Sequence, residues 1–79
     1  DYEQAKKYFL MAIDKGSLNS MSNIGACYEI EKDYDQMKKY YLMAVDKGCS
    51  RAMNNLGYYY ENIEKDYEQM KTYYLMAID

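Results

Sequence analysis

Residues 40–48 read YYLMAVDKG, and the fold follows from the way the chain repeats this phrase. Nearly the same letters, YFLMAIDKG, stand at residues 8–16, and YYLMAID stands at residues 73–79. A phrase that recurs every 20 to 50 residues or so indicates a tandem-repeat architecture, because each copy must fill the same place between its neighbours.

The repeat extends well beyond this phrase. Between the repeated phrases, SMSNIGACYEIEKDY at 20–34 aligns with AMNNLGYYYENIEKDY at 52–67. The second stretch is one residue longer, and the extra residue lies near Asn62-Ile63. Each copy begins with an Asp-Tyr quartet, and the quartets DYEQ, DYDQ and DYEQ occupy residues 1–4, 33–36 and 66–69.

Each half of the repeating unit reads as an α-helix. The Asp of each quartet is a favoured helix N-cap, and Gly16 and Gly48 favour the left-handed conformation that ends a helix. The chain contains no proline, so nothing interrupts the helices between these signals. We call 18–31 and 50–64 the A helices and the other three the B helices. The five helices are predicted near residues 2–15, 18–31, 34–47, 50–64 and 67–78.

Alternating A and B helices predict an all-α fold, a right-handed α-solenoid of tandem antiparallel helix pairs. We expect one repeat-array segment over residues 1–79, with a B helix at 1–16 and repeats at 17–48 and 49–79. The last helix is as apolar as its internal copies, and solenoids generally carry polar caps. The segment is therefore expected to be an excerpt of a longer array, or to stack its ends on other chains.

The repeated positions resemble the tetratricopeptide superfamily, specifically its Sel1-like branch. The resemblance covers essentially the whole chain, and it implies a binding scaffold or adaptor rather than an enzyme, with the A helices lining a concave groove. The positions that carry it are Met21/Met53, Ile24-Gly25 and Leu56-Gly57, Tyr28/Tyr60, Met37/Met70, Tyr41/Tyr74 and Ala44/Ala77.

The groove face of the A helices is rich in asparagine. At about 100° per residue, Met53, Leu56, Gly57 and Tyr60 share the core face of the second A helix, and the polar residues fall opposite. An Asn amide has two donors and two acceptor sites, so Asn23 and Asn55 could bracket the backbone of an extended peptide. The predicted ligand-binding residues are Asn19, Ser22, Asn23, Arg51, Asn54, Asn55, Tyr58 and Asn62.

Two alternatives to ligand binding remain open for this face. The Asn side chains could bond the neighbouring A helix or local backbone, and Tyr58 could pack against the next repeat instead of anchoring a partner. If the face does bind a ligand, the predicted partner is a protein or peptide.

A second function is suggested by the outer face of the B helices. This face lies opposite the core face, which Met37, Tyr41 and Ala44 form. Leu10, Leu42 and Leu75 recur on the outer face among charged residues. They could build a multi-chain layer or filament together with the array ends, through self-association. Alternatively, neighbouring Tyr rings and Lys stems cover them, which is the interpretation we favour.

The lysine doublets of the B helices suggest a basic patch at first sight. Glu3–Lys7 and Asp35–Lys39, however, have the favourable spacing of four residues for ion pairs within one helix. With ten Lys and Arg against thirteen Asp and Glu, the chain has a net charge of −3, which argues against a nucleic-acid partner.

Other kinds of chemistry lack the residues they need. The chain has no His, and Cys27 and Cys49 lie far apart, so no metal site, catalytic residues or cofactor are predicted. No apolar run is long enough for membrane insertion. The cysteines are read as free thiols, which favours a reducing intracellular compartment.

Overall fold

The structure, a computed structural model, describes residues 1–13 and 16–78, and most of these residues are helical, with no strand among them. The all-α prediction is confirmed, and each α-helix begins at the predicted residue. The proposed continuation of the first helix to residue 15 lies outside the described residues. The helices are α1 (Tyr2–Ile13), α2 (Leu18–Ile30), α3 (Tyr34–Asp46), α4 (Ser50–Tyr59) and α5 (Tyr67–Ile78), and a π-helical segment (Tyr60–Glu64) continues α4.

The predicted start and stop signals act as expected. The Asp33 and Asp66 carboxylates each accept a hydrogen bond from the backbone N–H three residues on, at 3.3 Å in both cases. Gly16 and Gly48 adopt φ values of 85° and 84°, where a Cβ would cost energy. The local sequence therefore sets where the helices begin and end.

The extra residue of the second copy is absorbed by the π-helical segment. Its wider turn closes with a hydrogen bond from the Lys65 N–H to the Tyr60 carbonyl, five residues back. After it, Lys65 has φ 55°, and Lys32 in the first copy has φ 62°. The insertion thus leaves the turn and the Asp66 cap in the same arrangement as in the first copy. A single-residue insertion in a helix is a common origin of such a π-bulge.

Each helix packs against the next one along the chain, α1 on α2, α2 on α3, α3 on α4 and α4 on α5. Within each A–B hairpin a glycine of the A helix lies under a tyrosine ring of the B helix. A Cβ built at Gly25 would lie 2.5 Å from Tyr41, and one at Gly57 would lie 2.6 Å from Tyr74. The two glycines therefore allow the A and B helices of each hairpin to approach closely.

Other hairpin contacts also recur one repeat later. Tyr28 stacks on Tyr40 at 5.8 Å between ring centroids, and Tyr60 stacks on Tyr73 at 5.7 Å. The Tyr41 hydroxyl donates to Glu29 at 2.9 Å, and the Tyr74 hydroxyl donates to Glu61 at 2.9 Å. The repeat in the sequence is therefore a repeat of side-chain contacts.

The core matches the predicted faces with one exchange. The B-helix residues Met37, Tyr41 and Ala44 are fully buried, and Leu56 is too. Tyr60, predicted in the core, is only half-buried, and Tyr59 is buried in its place. Tyr59 faces α3, because an A helix contacts the B helix before it as well as the one after it. The buried arc of α4 is consequently wider than one helical face.

Candidate interaction surfaces

The polar face of α4 carries the residues predicted for ligand binding. Arg51 and Asn54 are exposed, Asn55 is half-buried, and the Tyr58 side chain is 56% exposed. Their spacing of three or four residues places Arg51, Asn55 and Tyr58 along one side of the helix. An exposed aromatic ring beside a guanidinium and two amides is a combination that protein interfaces favour.

Arg51 connects this face to the other A helix. Its guanidinium donates a hydrogen bond from Nη2 to the Asn23 side-chain oxygen, at 2.5 Å. The bond uses an acceptor site of the Asn23 amide and neither of its two N–H donors. This is the bonding between neighbouring A helices that was considered above for the Asn side chains, and it joins Asn23 of α2 to the polar face of α4. Asn19 lies exposed at the start of the same helix, α2.

Two further predicted residues, Asn62 and Ser22, also have contacts within the chain. Asn62 donates from Nδ2 to the Tyr58 carbonyl at 3.0 Å, which is the bonding to local backbone considered above. Ser22, predicted at the groove edge, is instead fully buried, and its hydroxyl lies 3.2 Å from the Cys49 thiol. Ser22 therefore contributes to packing between α2 and the start of α4, and it offers no surface to a ligand.

Tyr41 lies fully buried beneath the polar face of α4. Burial, and then the hydrogen bond to Glu29, raise the pKa of Tyr41 well above its usual range, while nearby Arg51 opposes the shift. The phenol consequently stays protonated and holds α2 against α3. Asn55 also lies beside the phenol. The polar face of α4 thus packs, through Asn55, over a buried side chain.

The two cysteines are free thiols, as the sequence predicted, and both are buried. Cys49 occupies the N-cap of α4. Burial acts to raise the pKa of this thiol, but hydrogen bonds from Ser22 and the backbone of Ala52 and Arg51 outweigh burial and lower it. For Cys27 burial dominates and raises the pKa.

The ion pairs of the B helices differ from those predicted. Lys6 bonds Glu31 at 2.8 Å and Glu3 at 2.9 Å, and Lys38 bonds Glu64 at 2.8 Å. Two of these three pairs join a B helix to the end of the following A helix. The expected pairs Glu3–Lys7 and Asp35–Lys39 are absent within residues 1–13 and 16–78. In each B helix concerned, the lysine that forms ion pairs is one position earlier, and it reaches a carboxylate at the end of the following A helix.

Each of these lysines also lies over an aromatic ring. The Lys6 Nζ is 4.4 Å from the centroid of Tyr28, and the Lys38 Nζ is 5.2 Å from that of Tyr59. The hydrogen bonds to Glu31 and to Glu64 raise the pKa of Lys6 and of Lys38 respectively, so both remain charged. A carboxylate and an aromatic ring thus hold each lysine at the junction between consecutive helices.

The outer face of the B helices is more open than expected. Leu10, Leu42 and Leu75 are 43%, 43% and 60% exposed, so tyrosine rings and lysine stems do not cover them. An open groove of about 420 Å³ runs beside Leu10 between α1 and α2. Periodicity within one helix could not indicate this groove, because residues of both α1 and α2 form its walls. The groove is lined by Glu3, Lys6, Lys7, Leu10, Met11 and Tyr28.

The described part of the chain has neither a metal-binding cluster nor a membrane-spanning helix. No cluster of three or more His, Cys, Asp or Glu there is placed to hold a metal ion. None of its helices has the length and apolar character needed to cross a membrane.

No protein-family model matches the chain, and no significant match occurs among curated proteins or solved structures. The resemblance to Sel1-like repeats accordingly depends on the repeated residues of the sequence alone.

Proposed function

We propose that this chain is a protein–protein interaction scaffold, a segment of a right-handed α-solenoid of the Sel1-like or tetratricopeptide kind. An extended peptide lies across the A helices, held by side-chain amides and by Tyr58. The observation that carries the proposal is the Arg51–Asn23 bond, which joins the polar faces of both A helices beside the exposed Tyr58 ring. The recurrence of hairpin contacts one repeat apart supports the solenoid part of the proposal.

The residues available to a peptide have complementary chemistry. Asn23 retains its two N–H donors, Arg51 has further guanidinium donors, and Asn54 is exposed. These donors suit backbone carbonyls, which every peptide offers at regular spacing. The Tyr58 ring supplies apolar contact area at a low cost in side-chain entropy. Binding is therefore expected to depend weakly on peptide sequence, apart from an apolar side chain that meets Tyr58.

The proposal is tested by selecting peptides from a displayed random library with three versions of the chain as bait. One bait is unchanged, one carries Asn23→Ala and Asn55→Ala, and one carries Leu10→Lys, Leu42→Lys and Leu75→Lys. Circular dichroism first establishes that all three are equally helical. Peptides retained by the first and third baits and lost by the second support the groove. Peptides retained equally by all three baits contradict it.

A second function, structural assembly, is favoured by the three exposed outer leucines. In this case copies of the chain would associate through the outer faces of their B helices into an open layer or filament. Sedimentation velocity of the unchanged chain and of the triple Leu→Lys variant separates the two functions. Concentration-dependent association that the lysines abolish would support assembly.

A further inference from the structure

The junction between α1 and α2 and the junction between α3 and α4 share a lysine, a tyrosine and a glutamate. These residues are Lys6, Tyr28 and Glu31 in the first junction, and Lys38, Tyr60 and Glu64 in the second. At a fourth position the second junction has Tyr59, whereas the first has Cys27. At these four positions the two junctions therefore differ by one phenol ring.

Tyr59 makes both polar and aromatic contacts in the second junction. Its hydroxyl donates to the Glu64 carboxylate, which also accepts from Lys38. The Lys38 Nζ lies 5.2 Å from the centroid of the Tyr59 ring and 6.0 Å from that of Tyr60. The lysine of this junction is thus within cation–π distance of two rings.

The first junction has the same lysine and glutamate but only one of the rings. Cys27 lies close to both charged groups, since burial raises the pKa of its thiol while Lys6 opposes the shift and Glu31 adds to it. Lys6 turns onto the remaining ring, with its Nζ 4.4 Å from the Tyr28 centroid. Among the side chains of residues 1–13 and 16–78, Lys6 alone donates to the Glu31 carboxylate. The first junction therefore has an acceptor and a cation that a second phenol could use.

The groove of about 420 Å³ between α1 and α2 opens onto this junction, because Lys6 and Tyr28 form part of its wall. Its volume lies in the range of small-molecule clefts. Six residues line the groove, whereas a stable protein interface uses about 20–30 residues on each side. The groove therefore suits a small ligand better than a protein surface.

A neighbouring repeat does not account for the open groove. All the contacts given above for the second junction come from α3, α4 and the π-helical segment, although α1 and α2 precede them. Leu10 beside the groove is 43% exposed, and so is Leu42 of α3, which has a packed helix on both sides. Met11, at the far edge, is more exposed than its counterpart Met43. The site is therefore assigned to the wall of the groove at the junction, away from Met11.

We propose that this groove binds a small phenol, whose ring supplies what Tyr59 supplies in the second junction. The ring of the ligand lies against the Lys6 ammonium, and its hydroxyl donates to Glu31. To admit the ring, Lys6 moves away from Tyr28 to the longer separation that the second junction shows. The site is independent of peptide binding on the A helices.

The probe for this site is p-cresol, which is the tyrosine side chain as a free molecule. Its binding to the 79-residue chain is followed in the ¹H–¹⁵N NMR spectrum. Amides near Lys6 and Tyr28 are expected to shift, and those near Lys38 and Tyr60 are not, because Tyr59 already occupies the second junction. Cyclohexanol, which has the hydroxyl without an aromatic face, should bind about threefold or more weakly.

Exchanging the residues that differ between the junctions tests the site in both directions. Cys27→Tyr is expected to supply the ring from within the chain and to weaken p-cresol binding about tenfold or more. Cys27→Ala, which leaves the space open, is the matched control and should bind as the unchanged chain does. Tyr59→Cys should create a second site, so that p-cresol also shifts amides near Lys38. Circular dichroism establishes that each variant is folded, and the gain of a site in Tyr59→Cys does not depend on the folding of Cys27→Tyr.

Three results would overturn the proposal. One is the absence of any shift near Lys6 at about 20 mM p-cresol, and another is equal p-cresol affinity of the unchanged and Cys27→Tyr chains. The third is a blocked tyrosine tripeptide that binds more tightly than p-cresol, which would assign the groove to a protein side chain. Shifts confined to the first junction, lost in Cys27→Tyr and extended to the second junction in Tyr59→Cys, would establish it.

Discussion

The ring of Tyr41 occupies the space where a Cβ of Gly25 would stand, with Cδ1 and Cε1 both 2.5 Å from that position. Tyr74 stands in the same relation to Gly57, at 2.6 Å. Real Cβ atoms do not approach other atoms so closely, so the A and B helices of each hairpin reach this separation only because both positions are glycine.

Gly57→Ala is expected to destabilise the chain by about 1–3 kcal/mol, because the Tyr74 ring must move from a packed position. In an open helix the same change would stabilise by up to about 1 kcal/mol, so the sign of the effect is diagnostic. Urea denaturation followed by circular dichroism measures it. Gly57→Ala should destabilise the Tyr74→Ala variant less than it destabilises the unchanged chain. A neutral or stabilising Gly57→Ala would contradict the close packing.

Deleting Asn62 should convert the π-helical segment into an α-helical turn like that of the first copy. The deletion removes only an exposed residue and its bond to the Tyr58 carbonyl. The free energy of unfolding should therefore change by no more than about 1 kcal/mol.

The matched control deletes Asn54, which is equally exposed but lies inside α4. That deletion turns Met53 by about 100° relative to Leu56 and splits the buried face, so it should abolish cooperative unfolding. Equal damage from both deletions would show that the π-helical segment is not where the insertion is absorbed.

The Lys38–Glu64 pair predicts a pH dependence with a definite sign. The hydrogen bond from Lys38, and then that from Tyr59, lower the pKa of Glu64 below its ordinary value of 4.5. A carboxylate with a lowered folded-state pKa stabilises the protein above the unfolded-state pKa, and this contribution is lost as the pH falls through the lowered value.

Glu64→Gln should therefore reduce stability near neutral pH by a few tenths to about 1 kcal/mol, since the pair is partly exposed. Its deficit relative to the unchanged chain should shrink as the pH falls below 4.5. Urea titrations at a series of pH values measure the deficit, with Glu68→Gln, an exposed carboxylate of α5, as control. A deficit that grows with acidity would be inconsistent with the pair.

Lys32 and Lys65 hold positive φ values of 62° and 55°. A non-glycine residue in this region costs about 1–2 kcal/mol. Glycine removes this strain, but the greater entropy that it gives the unfolded chain offsets part of the gain in stability. Lys32→Gly is thus expected to raise the melting temperature slightly. Lys39→Gly, inside α3, should lower it, because glycine weakens a helix interior. A fall in both variants would argue against a left-handed Lys32.

The sequence was sufficient to predict elements whose causes are local. The caps Asp33 and Asp66, the terminal glycines and the buried face of α3 all depend on residues within one or two helical turns. The all-helical fold and the start of every α-helix followed from them. The close approach at Gly57 was also predictable, because a glycine within an apolar helix face indicates a nearby partner.

Features that depend on a second helix were not predicted correctly. The long stem of Lys38 reaches Glu64, 26 residues away, in preference to a carboxylate on its own helix. Bonding of Asn23 to the neighbouring A helix was one of the alternatives left open, but the identity of its partner, Arg51, and the burial of Ser22 depend on how α2 lies against α4. Periodicity assigns a residue to a face of its helix, but it does not identify the side chain opposite.

The most direct test of the proposed scaffold is the affinity of one selected peptide, measured by titration calorimetry against matched variants. We predict that Asn23→Ala with Asn55→Ala weakens binding about tenfold or more, because two amides lose their bonds to the peptide backbone. The variant Leu10→Lys with Leu42→Lys and Leu75→Lys should bind as the unchanged chain does. Undiminished affinity in the Asn variant, with affinity lost in the Leu variant, would contradict the account and assign function to the outer face of the B helices.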